Sequence, residues 1–116
     1  MPFFFEKCKV ELNGKTFMID PSSKKTVETL DRVMNAGSDY MKGKYNDISQ
    51  EEQEKQLLEI IHEAVDQICG AGTFEEVFSD HVVNVFDAME VWGSICNDIA
   101  QYKLNRIRHF SGNAEA

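Results

Sequence analysis

The stretch that decides the fold is KCKVELNGKTFMI, residues 7–19. Its first half alternates charged and apolar residues, which is typical of a strand with one buried face. Asn13-Gly14 follows and suits the left-handed backbone of a type I′ turn. A two-residue turn at this point pairs Val10 with Phe17 and Cys8 with Ile19. The stretch therefore predicts a β-hairpin over residues 7–19, whose apolar face must pack on other elements because an isolated hairpin is barely stable in water.

Two helices are predicted next. The first covers residues 21–43 and begins with Asp20 as its N-cap and Pro21 at its first position. Its apolar residues recur at helical spacing and form one stripe: Val27, Leu30, Met34, Gly37 and Met41. The second helix covers residues 49–69, begins with a Ser49/Glu52 capping box and ends at Gly70. Its apolar face consists of Leu57, Leu58, Ile61, Ala64, Val65 and Ile68.

The last predicted helix is long, covers residues 80–109 and begins with Asp80 as its N-cap; a short turn opened by a Thr73/Glu76 capping box precedes it. An a/d repeat runs through Phe78, Val82, Val85, Met89, Trp92, Cys96 and Ile99. A second stripe flanks this seam and consists of Val91, Ile95 and Tyr102. A helix that is apolar on two sides contacts two neighbours, so either the hairpin or another subunit covers the extra stripe.

These elements predict a mainly α (α+β) fold, in which an N-terminal β-hairpin packs on about three helices. The 116 residues, 42% of them hydrophobic, are enough for one core, so we expect a single domain over residues 1–116 with a flexible tail over 111–116.

Charge and composition exclude several functions. Residues 45–100 hold thirteen acidic residues against Lys55 alone, within a net charge of −8. An acidic surface repels phosphates, so we expect no nucleic-acid partner and favour a protein partner. No apolar run approaches the roughly 20 residues that span a membrane, and no signal-peptide pattern opens the chain. Three cysteines without CxxC spacing indicate reduced thiols. We therefore expect a cytoplasmic protein that does not bind membranes.

No residue pattern predicts catalysis, a cofactor or a metal. Glu59-x-x-His62 has the spacing of a di-iron ligand pair, but the chain has no second such motif. We interpret Glu59, His62, Glu63 and Asp66 together as a solvated helix face. In the Asp80-His81 pair, His81 is interpreted as a surface residue in the first turn of the last helix. Cys96 lies on the predicted core seam, and Cys69 lies at a helix C-terminus, where the dipole disfavours a thiolate. A basic cluster near the C-terminus either docks an acidic partner or a second copy, or complements the helix dipole. It comprises Lys103, Arg106, Arg108 and His109.

The order of these elements resembles that of the tail assembly chaperones encoded by phages and prophages of Gram-positive bacteria. The likeness covers residues 8–109. It rests on the hairpin at residues 10–15, on the Thr-Val-Glu-Thr-Leu run within residues 20–30, and on the Gly-x-Gly-Thr-Phe sequence within residues 69–78. Phe3-Phe4-Phe5 and Trp92 fall outside the family pattern. The resemblance implies a non-enzymatic protein of the bacterial host cytoplasm that binds the apolar helices of a tape measure protein.

We accordingly predict a homo-oligomer that binds a helical protein partner; the alternative is a small helical dimeric regulator of phage or host origin. The predicted protein-binding residues all lie on the last helix: Val85, Met89, Trp92, Ile95, Ile99, Tyr102 and Arg106.

Overall fold

The computed structural model describes residues 8–44, 46–80 and 82–115. Two antiparallel strands and four helices follow one another along this part of the chain: β1 (Cys8–Leu12), β2 (Lys15–Ile19), α1 (Lys24–Met41), α2 (Gln50–Cys69), α3 (Thr73–Val77) and α4 (Val85–Glu115). The predicted class is confirmed, with an N-terminal hairpin packed on helices and the last helix the longest. None of the described helices is both long and apolar enough to cross a membrane.

The hairpin has the predicted register. Cys8 pairs with Ile19 and Val10 pairs with Phe17, as a two-residue turn requires. The turn residues Asn13 and Gly14 have φ angles of 51° and 79°. Both angles lie in the left-handed region, which Asn and Gly enter more readily than other residues. The asparagine–glycine pair therefore fixes which strand residues face the core.

The hairpin packs on α4 and covers its flanking apolar stripe. Three β1 side chains, Cys8, Val10 and Leu12, are buried in one cluster that also holds Val91 and Ile95. Hydrogen bonds also hold the hairpin in place: the Glu11 N–H donates to the Asp98 carboxylate on α4 over 3.3 Å, and the Asn13 side-chain amide donates to the Val77 carbonyl on α3 over 2.8 Å. Of the two sequence alternatives for this stripe, the structure shows the hairpin as its cover.

Two helices begin later than predicted, because other side chains cap them. Ser23 rather than Asp20 is the N-cap of α1, and its hydroxyl accepts the Thr26 N–H over 3.1 Å. Asp20 instead accepts the Ser22 N–H and shapes the preceding turn. Ahead of α4, the side-chain amide oxygen of Asn84 accepts the Asp87 N–H over 2.9 Å, and the Asp87 carboxylate accepts the Asn84 N–H over 3.3 Å. This reciprocal pair replaces the predicted cap at residue 80.

The α2 boundaries agree with the prediction, and the α3 start does not. Ser49 accepts the Glu52 N–H over 3.1 Å, and Gly70 ends the helix with a φ of 118°. Thr73 was predicted to cap α3, but its hydroxyl donates to the Gly70 carbonyl over 2.7 Å. Gly72 precedes the helix without a side-chain cap.

The ends of α1 and α4 also differ from the prediction. α1 ends at Met41 rather than residue 43, and α4 continues past residue 109 to Glu115. At 1.5 Å per residue, the 31 residues of α4 measure about 46 Å, most of the 55 Å long axis of the molecule. Apart from the half-buried Tyr102, the side chains of residues 101–108 are exposed. We call residues 101–108 the α4 overhang.

Candidate protein-binding groove

An apolar groove lies between α1 and α4, above the surface of α2 on which both helices pack. Its volume is about 540 Å³. α1 contributes Leu30, Val33, Met34 and Gly37; α2 contributes Leu57 and Ile61; α4 contributes Met89, Trp92, Gly93, Cys96, Ile99, Ala100 and Lys103. Lys103 is the one charged residue among these described lining residues. The groove is therefore suited to apolar side chains rather than to a polar substrate.

The α1 wall of the groove exists because α1 is rotated relative to the prediction. Its buried residues include Thr26, Thr29 and Val33, whereas Met34, from the predicted apolar stripe, is 70% exposed. The Thr29 hydroxyl donates to the Lys25 carbonyl over 2.7 Å and lies 3.1 Å from Gln67 Oε1 on α2. A hydroxyl that is hydrogen-bonded can be buried at little cost, so the threonine face packs on α2 and the methionine face opens to solvent.

The α4 wall comes from the predicted seam, which the structure divides. Phe78, Val85 and Ile99 of this seam are buried, but Val82 is 94% exposed and Met89 is 49% exposed. Trp92 and Cys96 are half-buried and line the groove. The hairpin packs on the neighbouring stripe of the helix, so the face bearing Met89, Trp92 and Cys96 is left open.

The predicted binding residues fall into three groups. Met89, Trp92 and Ile99 line the groove. Val85 and Ile95 are core residues. Tyr102 packs against the core, and its hydroxyl accepts a hydrogen bond from Arg106 over 3.1 Å, with the guanidinium 5.7 Å from the ring centroid. Of the basic cluster, the side chain of His109 lies outside the described residues, as does His81.

Sequence reasoning did not predict the α1 and α2 walls of the groove. Leu30, Met34 and Leu57 were predicted as members of the apolar faces of α1 and α2, with no binding role. The sequence does contain a hint, because a stripe of methionines and a glycine on α1 is a poor match for a tightly packed core position.

Two glycines on opposite walls of the groove have no structural reason within the described part of the chain. Gly37 and Gly93 sit inside helices without a positive φ, and apart from the adjoining residues and backbone of the same helix no described atom lies within 4 Å of where a Cβ would stand. Glycine inside a helix is less stable than alanine by about 0.5–1 kcal/mol. Their effect is to let another backbone approach the groove closely.

The second candidate cluster, around His62, serves the fold. The Asp66 carboxylate accepts the Phe74 N–H over 2.9 Å at the start of α3. Its other oxygen lies 3.5 Å from His62 Nε2, and the imidazole stacks on the Phe74 ring at 4.4 Å. The expectation of a fully solvated face is therefore wrong for His62 and Asp66, which join α2 to α3. Within the described residues, no group of three or more His, Cys, Asp or Glu could hold a metal ion.

The cysteines are free thiols whose pKa values lie above the ordinary range. Burial raises the pKa of Cys69 to about 11, and the nearby Asp66 carboxylate adds to the effect. Desolvation also raises the pKa of Cys96, which lines the groove and was predicted to lie on the packed seam. Neither environment activates a nucleophile.

Comparisons with protein-family models, with curated proteins and with solved structures found no match to this chain.

Proposed function

We propose that the protein is a non-enzymatic binding protein that holds an apolar α-helix of a partner polypeptide in the groove between α1 and α4. The observation that carries this proposal is the groove itself. It runs along three helices, and exposed methionines stand on its α1 and α4 walls. An amphipathic helix laid into an apolar groove is a common mode of protein recognition.

The chemistry of the walls supports a helical occupant. Methionine side chains are flexible and polarisable, so Met34 and Met89 can adapt to several partner sequences. Gly37 and Gly93 leave room for the partner backbone on both walls. This combination suits a protein that covers different stretches of a long apolar chain one after another.

The charge of the groove helices supports a partner with basic residues beside its apolar face. α2 carries six acidic residues against Lys55, and residues 85–100 carry three acidic residues and no lysine or arginine. Such a charge attracts basic partners over distance and keeps the complex dissolved.

The resemblance to tail assembly chaperones supplies the specific proposal. In it, the partner is the tape measure protein of a phage tail, and the complex forms in the cytoplasm of the bacterial host. The protein would shield the apolar helices of the tape measure protein until tail tube subunits assemble around them.

Co-expression with the tape measure protein from the same phage genome tests the proposal. Met34→Asp places a charge in the groove, and Met18→Asp places the same charge at another exposed methionine, on the hairpin. We expect wild type and Met18→Asp to keep the partner soluble and to co-purify with it, and Met34→Asp to lose both properties at unchanged thermal stability. Equal solubilisation by all three proteins would show that the groove is not the binding site.

Alkylation of Cys96 reports groove occupancy directly. Because Cys96 lines the groove, bound partner should slow its reaction with a maleimide, as measured by peptide mass spectrometry. The reference is the free protein diluted until it sediments as a monomer, and a complex in which Cys96 reacts as fast as in that monomer would place the partner elsewhere.

A further inference from the structure

The apolar wall of the groove continues along α4 beyond the groove. Gly93, Cys96 and Ala100 line the groove, and Leu104 and Ile107 follow at the same spacing of three or four residues on the α4 overhang. Ile107 is 61% exposed and Leu104 is also exposed. A stripe that starts inside the groove therefore ends on a bare helix surface.

The overhang is complementary in charge to the body of the protein. Residues 101–108 contain Lys103 at the end of the groove, Arg106 and Arg108 beyond it, and no acidic residue. The body carries the acidic residues of α2. It also carries two exposed acidic residues next to the groove: Asp31 follows the lining residue Leu30, and Glu90 follows the lining residue Met89. The overhang therefore has the two properties proposed above for the helix that binds in the groove: an apolar stripe and basic residues beside it.

The overhang cannot enter the groove of its own chain. It continues the helix that forms one wall, so Leu104 and Ile107 extend that wall instead of facing it. A helix of this kind can reach an equivalent groove only on a second copy. The open space at Gly37 and Gly93 would let its backbone come close there.

We infer that the resting occupant of the groove is the α4 overhang of a second copy of this chain. The contact is reciprocal: each copy inserts Leu104 and Ile107 into the groove of the other, which doubles the apolar area buried and closes the assembly as a symmetric dimer. The inference rests on the proposed function, because the overhang of the second copy and the partner helix would compete for the same groove. The partner helix must displace the overhang in order to bind.

Cross-linking tests the arrangement. Ile107→Cys brings a thiol to the predicted contact with Cys96 of the second copy. Asn105→Cys is the control, since residue 105 lies on the opposite side of the helix from the stripe. Within one chain, residues 96 and 107 are about 16 Å apart along the helix, beyond the reach of a short bismaleimide. We expect a covalent dimer linked through residues 96 and 107 for Ile107→Cys and several-fold less dimer for Asn105→Cys.

Sedimentation of the full chain across the micromolar range gives a second measurement. We expect wild type to be a dimer, and Leu104→Gln/Ile107→Gln to raise the dissociation constant by about a hundredfold or more, because four apolar side chains per dimer lose their burial. Circular dichroism should show unchanged helix content, since both side chains are exposed. A monomeric wild type, or equal cross-linking by the two cysteine variants, would overturn the inference.

The two proposals fail in different ways. A monomeric wild type that still solubilises the tape measure protein through Met34 would remove the second-copy occupant and leave the proposed function intact. The opposite outcome is a dimer of Ile107→Cys that still cross-links residues 96 and 107 in the presence of saturating tape measure protein and forms no complex with it. That outcome would remove the proposed function alone.

Discussion

Replacing Gly93 by alanine should make the free protein more stable, although the substitution lies in the wall of the groove. Gly93 is helical, and the position of a new Cβ has open space around it. The methyl group therefore adds no clash and reduces the conformational freedom of the unfolded chain. We expect the free energy of unfolding to rise by about 0.5–1 kcal/mol and Tm by roughly 2–6 °C.

Gly14→Ala is the matched control. Its Cβ position is equally open, but its φ of 79° lies in the left-handed region, where alanine is strained. We expect this variant to lose about 1 kcal/mol, so the two substitutions should change stability in opposite directions.

Urea unfolding followed by circular dichroism measures both variants. The Leu104→Gln/Ile107→Gln background keeps any dimer from contributing to the unfolding free energy. A Gly93→Ala variant that is less stable than its parent would refute the reasoning, because it would mean that the position is packed or strained. Gly93→Leu introduces a larger side chain, which should fill part of the groove and weaken partner binding while the protein stays folded. Loss of binding without loss of stability would show that Gly93 serves binding rather than folding.

Other predictions concern the core and the α2–α3 junction. Ile95→Ala should reduce the free energy of unfolding by about 2–5 kcal/mol, since Ile95 is fully buried; a loss below 1 kcal/mol in urea unfolding would contradict its place in the core. Asp66→Ala should cost about 1–2 kcal/mol, because it removes the carboxylate that accepts the Phe74 N–H; Glu59→Ala, at an exposed position of the same helix, should cost little, and equal losses would contradict the capping role. The Cys69 thiol, with a pKa raised to about 11, should alkylate about a hundredfold more slowly at pH 8 than a thiol of pKa 9.0. Its rate should keep rising with pH above about 10, where a thiol of pKa 9.0 levels off, and stability should fall as the pH rises from about 9 towards 11 because the unfolded thiol ionises first; a plateau near pH 10 measured by mass spectrometry would contradict the burial.

Local sequence was sufficient to predict the hairpin and the existence of the main helices. The register follows from Asn13-Gly14 because backbone conformation at two residues fixes the pairing of all the others. The start of α2 was equally predictable, since Ser49 and Glu52 interact within one turn. These features depend on neighbours in sequence, and no distant contact competes with them.

The caps of the other helices show where local reasoning reaches its limit. Several residues near the starts of α1 and α4 could serve as the cap, and the structure shows Ser23 and Asn84 in that role. At α3, the acceptor of the Phe74 N–H is Asp66, which belongs to the preceding helix. A cap supplied from another element is not visible in the spacing of nearby residues.

The sequence by itself determined which residues are apolar and that α4 carries two apolar stripes. Only the tertiary structure decided which stripe is buried, because the hairpin can cover one side of α4 and leaves the other exposed. The same competition rotated α1, where hydrogen-bonded threonines face α2 and the methionines face outward. Hydrophobic burial is non-directional, so periodicity identifies an apolar face, but the geometry of the neighbouring elements determines whether that face becomes core or an open groove.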